Sequence, residues 1–185
     1  MKVLRSAVIL AAAFTFLSRI ALSDSTPKGE SLPRKGDAPK SYQIVNKKYG
    51  DLLRPKDAND KDGTPIVLYP AQRWKCLTWR LAPTDDAEFT VQNHFTDRTF
   101  SLSSSDKGNA VIQVALPKDA AKAVKWHFVK LEDGGYRITD PKSGNVLTAV
   151  KNDGDDEIRI VLRPWKEDDE QIWELQQIDP AKLTM

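Results

Sequence analysis

Tyr42-Gln43-Ile44-Val45-Asn46, followed by Gly50-Asp51-Leu52-Leu53, Val67-Leu68-Tyr69-Pro70 and Trp79-Arg80-Leu81, is a pattern that returns twice at a step of 47 residues. Tyr42 leads to Phe89 and Tyr136, Ile44 to Val91 and Ile138, Asn46 to Asn93 and Asp140, and Leu53 to Phe100 and Leu147. Val67, Val114 and Val161 keep the step, as do Pro70, Pro117 and Pro164, and Trp79, Trp126 and Trp173. Two places after each of those tryptophans an apolar residue returns, at Leu81, Phe128 and Leu175. Three copies in one register imply three equivalent supersecondary units that share a core.

Within a copy the apolar residues alternate. Tyr42 with Ile44, Phe89 with Val91 and Tyr136 with Ile138 have period two, which is the period of a half-buried strand. Turn chemistry follows each pair: Lys48 to Asp51, Thr96 to Arg98 and Lys142 to Asn145. A second strand, a polar turn, a third strand and a tryptophan-bearing fourth strand complete the unit. Four short strands in three units predict about twelve, antiparallel because the connections are short. The long amphipathic helices of a helical solenoid are missing, and a propeller needs at least four blades. The expected fold is therefore all-β, a β-trefoil, whose closed barrel removes exposed edges. Asp119 to Lys125 reads as one or two helical turns between strands, with Asp119 as N-cap.

Outward from the repeats, the chain divides simply. Residues 1–23 read as a secretory signal, with Lys2 and Arg5 first, an apolar run of 11 residues from Ala7 to Leu17, and Ala21-Leu22-Ser23 as the cleavage pattern. That run is shorter than the roughly 20 residues needed to span a bilayer, so no membrane span is expected after its removal. Residues 24–40 are rich in Ser, Pro, Gly and charge, and read as a flexible linker. The β-trefoil domain is expected over 41–179 and a short tail over 180–185. Removing Lys2, Arg5 and Arg19 from the formal net charge of +2 leaves −1 for the mature chain. Nothing then points to nucleic acid, which would want a clustered basic face. Cys76 is the single cysteine, so no intrachain disulfide is expected, and its apolar neighbours Trp74, Leu77 and Trp79 place it in the core.

The aromatic-x-apolar-x-Asn start, the Gly-x-x-Leu turn, the apolar strand ending in Pro and the Trp-x-Leu close resemble the ricin-type β-trefoil lectin family across all three copies. The resemblance implies shallow sugar sites built from an acid, an amide and a stacking aromatic ring. The acid position after the second-strand apolar residue holds Arg54, Ser101 and Thr148 here, and the polar position in the third strand holds Val67, Val114 and Val161. The stacking ring is Tyr69, against Leu116 and Arg163, and the Gln of the Gln-x-Trp motif is Gln171. Asp57, Asn59 and Asp62 (with Asp60) lie near Tyr69 in sequence and could accept sugar hydroxyls. Trp74 and Trp165 stand outside the tryptophan ladder, so each either binds something or covers a hairpin.

Other chemistry is sparse. His94 and His127 are the only histidines, without metal-ligand spacing, and there is no nucleophile elbow or phosphate-binding glycine loop. No cofactor is expected. The acidic segments Asp153 to Glu157 and Glu167 to Glu170 read as solvated loops. The function expected is secreted, non-catalytic binding of a glycan or glycoprotein, with the first copy, around Tyr69, as the leading site. The alternative is a β-trefoil that binds protein, as a protease inhibitor or host-interaction factor, with its sugar sites decayed.

Overall fold

The computed structural model describes residues 31–85, 87–104, 109–151, 154 and 156–185. The expected signal segment lies outside them. Twelve strands occur among the described residues: β1 Lys40–Asn46, β2 Leu52–Pro55, β3 Ile66–Tyr69, β4 Trp79–Asp85, β5 Glu88–Asn93, β6 Thr99–Leu102, β7 Val111–Val114, β8 Lys125–Lys130, β9 Tyr136–Thr139, β10 Val146–Lys151, β11 Ile158–Arg163 and β12 Trp173–Gln177. Each copy supplies four, and the result is a β-trefoil.

The first and fourth strands of each copy close a six-stranded barrel. β1 pairs with β4, β4 with β5, β5 with β8, β8 with β9, β9 with β12, and β12 returns to β1. The registers repeat with the sequence. Tyr42 lies opposite Trp79, Phe89 opposite Trp126, and Tyr136 opposite Trp173. Between copies, Leu81 faces Val91, Phe128 faces Ile138, and Leu175 faces Ile44. Period-two alternation turns these residues inward, and all except the half-buried Leu175 are buried in one apolar cluster.

The second and third strands form three hairpins that cap the barrel. They meet one another where Pro65 faces Ile112, Ala110 faces Val161, and Arg159 faces Val67. In the first and third hairpins Leu53 lies opposite Leu68 and Leu147 opposite Leu162. In the second, Phe100 lies opposite Gln113, two residues earlier than the 47-residue step would place its partner. Ala115 stands where the other copies have a core leucine, and it is exposed. A two-residue slip keeps the inward face inward, puts the buried Gln113 in the place opposite Phe100 and brings Val111 to the core place held by Ile66 and Ile160 in the other copies. Val114 is therefore not the spatial counterpart of Val67 and Val161, although it keeps the numerical step.

The turns that join first to second strands share one device. Asn46 N–H donates to Asp51 O and Gly50 N–H to Asn46 O, and the same two bonds recur around Asn93 and Asp140. The donor of the second bond must adopt positive φ, and Gly50, Asp97 and Gly144 do so at 70°, 55° and 71°.

The described part of the expected linker is tied to the domain. Leu32 packs against the core and Pro33 is buried, so the large aliphatic side chain of that stretch acts as an anchor before β1 begins at Lys40. The C-terminal tail is tied as well. Thr184 N–H donates to Arg73 O at 2.8 Å and Thr184 O accepts from Lys75 N–H at 3.0 Å, beside Trp74. The turn expected after Asp119 is a single one, Ala120–Lys122, with Asp119 accepting from Ala121 N–H at 3.0 Å.

Candidate functional site

Threefold repetition places an equivalent niche beside each hairpin, walled on the far side by the first turn of the next copy around the ring. The three niches differ in what fills them.

In the third copy the niche is an open cleft of about 260 Å³. Thr148 and Ala149 from β10, Arg163 from β11 and Gln171 from the 3₁₀ turn Asp169–Gln171 line one side. Lys48 and Tyr49, from the turn after β1, line the other. The cleft thus gathers Thr148, Arg163 and Gln171, which the resemblance places at sugar-contacting positions. Gln171 is buried, and its amide is fully used: Nε2 donates to Thr148 Oγ1 at 3.1 Å and Pro164 O at 2.9 Å, while Oε1 accepts from Lys166 N–H at 2.7 Å. It shapes the cleft wall, because both N–H donors are committed and its oxygen already accepts one bond. Lys48 Nζ lies 2.5 Å from Glu170 Oε1, which holds the Glu170 carboxyl below its ordinary range and raises the lysine. Lys48 also sits 5.4 Å from the centroid of the Tyr49 ring.

The first niche is filled by the protein itself. Arg54 lies opposite Val67 and Tyr69 opposite Leu52, so Arg54 and Tyr69 are diagonal neighbours on one face of the hairpin. The Arg54 guanidinium carbon sits 3.6 Å from the centroid of Tyr69, covering one face of the ring that was expected to stack on sugar. The Trp74 ring packs against Tyr69 at 5.7 Å and 32°. Both aromatics belong to a small cluster with Cys76, Leu52, Leu77 and Val45. Cys76 is buried, and that burial pushes its thiol up. Trp74 here packs on the first hairpin, whereas Trp165 is half-buried with the Arg137 guanidinium of β9 5.3 Å from its ring.

Asp57, Asn59 and Asp62 are exposed on the turn between β2 and β3, and the bonds of Asn59 and Asp62 lead away from Tyr69. Asp62 pairs with Arg98, Asn59 Oδ1 accepts from Lys61 N–H, and Asn59 O accepts from Gln113 Nε2 at 2.9 Å. The Asp62–Arg98 and Asn59–Gln113 contacts fasten the first hairpin to the second copy. The second niche is wide, about 610 Å³, and is lined by Ser101, Lys122, Trp126 and Ser143 among others. It holds neither an acid at the Ser101 position nor a ring at the outer one. Among the described residues, no three His, Cys, Asp or Glu side chains converge as a metal site would require.

Two parts of the third cleft escape a reading along the chain. Tyr49 and Lys48 serve the third copy although they belong to the first, which follows only from ring closure. The counterpart of Lys48 beside the filled niche is Phe95, one of the few exposed large apolar side chains.

Residues 40–173 match the family described as ricin-type beta-trefoil lectin domain. Among solved structures, the Rhizoctonia solani agglutinin is similar at a TM-score of 0.66 and 20% identity, over 80% of this chain and 99% of that one. The Macrolepiota procera ricin B-like lectin, solved in complex with lactose, is similar at 0.63 and 18%, over 77% and 98%. The designed threefold-symmetric protein ThreeFoil is similar at 0.65 and 23%, over 73% and 96%. No curated protein matches the sequence.

Proposed function

The chain belongs to the ricin-type β-trefoil lectin family, and from that premise we propose that it is a secreted carbohydrate-binding protein without catalytic activity, whose glycan site is the cleft of the third copy. The observation that carries this reading is the open niche between Thr148, Arg163 and Tyr49. A sugar site needs a ring face for its apolar side and fixed polar groups for its hydroxyls. Tyr49 supplies the ring, from the neighbouring turn, while Glu170 and Lys48 supply an acceptor and donors. The first niche is the weaker candidate, because Arg54 occupies a face of Tyr69.

A protein-binding role is the second reading. It is favoured by the self-filled first niche and by Val67, which is buried where a polar sugar contact would be expected. Glycan-array binding of the secreted chain decides between the two. The lectin reading expects at least one glycan to bind saturably, with the signal reduced by Tyr49→Ala. Absence of binding to every glycan would favour the protein-binding reading.

A further inference from the structure

Three cations border the third cleft without an ion-pair partner among the described residues: Lys151, Arg163 and Lys166. Lys48, the fourth, is neutralised by Glu170. Among the described residues Asp168 is the one remaining carboxylate on the lining, so that lining keeps a surplus of positive charge although the chain beyond the expected signal is close to neutral. Arg163 has the central position. It lies opposite Val146 in the third hairpin, as Tyr69 lies opposite Leu52 in the first, so a guanidinium stands where the first copy has its ring. Its charge helps to hold Glu170 ionised, yet it makes no ion pair with it. Unlike Arg54, it is exposed, with its donors open to solvent.

We propose that the third cleft selects glycans whose sugar carries an anionic group, a carboxylate or a sulfate, read by Arg163 with Lys166 and Lys151 beside it. A guanidinium presents paired N–H donors in a planar fork that matches either group, and such charge-assisted bonds are stronger than bonds between neutral partners. Tyr49 and the Lys48–Glu170 pair remain for the rest of the ring. The proposal deepens the lectin reading and rests on it.

The experiment is calorimetric titration of the full secreted chain with lactose, with lactose bearing a sulfate, and with lactose bearing a sialic acid, alongside free sulfate. At least one anionic sugar should bind about tenfold tighter than lactose, a difference of about 1.4 kcal/mol, and the advantage should shrink with added salt. Arg163→Gln should reduce that advantage to less than about threefold, while Lys118→Gln, on an exposed site elsewhere, should leave it unchanged. Equal or tighter binding of lactose would overturn the proposal and leave the lectin reading standing. An advantage that survives in Arg163→Gln would overturn it too, as would free sulfate binding as tightly as the sulfated sugar. No binding by any of the sugars or by any array glycan would overturn the lectin reading itself.

Discussion

The indole Nε1–H of Trp79 donates to the backbone oxygen of Leu53, 26 residues earlier, at 2.8 Å. The bond recurs from Trp126 to Phe100 at 3.3 Å and from Trp173 to Leu147 at 3.1 Å, with the same separation each time. Each tryptophan therefore fills the core and satisfies a buried carbonyl of its own hairpin, joining barrel to cap. Replacing Trp79 by Phe keeps most of the apolar surface but orphans the Leu53 oxygen, at a cost of about 1–3 kcal/mol. Trp126→Phe, which loses the longest of the three bonds, should cost less. Urea unfolding of both variants measures the difference, and equal costs would separate the bond length from its energy.

The three αL turn positions make a second test. A Cβ at Gly50 would meet nothing within 4 Å, so Gly50→Ala should destabilise through backbone strain alone, by about 1–2 kcal/mol. Asp97→Gly, at the equivalent place in the second copy, should be neutral or slightly stabilising, because the strain is already present there. Thermal unfolding of the two variants should move in these opposite senses.

Arg54 is a buried guanidinium that stacks on Tyr69, with no carboxylate partner among the described residues. Its Nε has no hydrogen-bond partner either. The stack contributes up to about 2 kcal/mol, and burial of the charge costs an amount of similar size. Arg54→Met, similar in volume and uncharged, should leave stability within about 1 kcal/mol of the parent. A loss above about 3 kcal/mol would show that the cation is needed to hold the hairpin.

The pH dependence follows from His94. Burial lowers its imidazole below the ordinary value of 6.5, aided by Arg80 and Lys75 and opposed by Asp97. The folded chain then binds the proton less readily than the unfolded chain, so stability is full above that value and falls as pH drops toward the folded one. Below about 4.5 a second loss sets in. There Glu88, held down by Lys125, and Glu170, held down by Lys48, protonate more readily in the unfolded chain. Asp51, pushed up by burial, acts in the opposite sense. Urea midpoints at about pH 7.5 and about pH 5.5 should differ in the parent and converge in His94→Gln, whose amide can still bond Ser41.

Much of the barrel is legible by counting 47 residues along the sequence, because a threefold core needs the same apolar residue at each equivalent place. Tyr42, Phe89 and Tyr136 meet Trp79, Trp126 and Trp173 at matching registers for that reason. The count misleads at the second hairpin, where Ala115 is too small for its core position and the strand slides by two. It is also silent on the niches. The face of Tyr69 is closed by an arginine that becomes its neighbour only when β2 pairs with β3. The ring of the third cleft, Tyr49, arrives from the far end of the repeat array. Spacing along the chain reports the elements of a closed ring but not which loops its closure brings together.

The most direct test of the central claim is a titration of the isotope-labelled chain with its tightest glycan, followed residue by residue through amide chemical shifts. Perturbations should concentrate at Lys48 and Tyr49, at Thr148 to Val150 and from Arg163 to Gln171, with Arg54, Tyr69 and Trp74 unmoved. Perturbations centred on Tyr69 and Trp74, with the third cleft silent, would contradict it.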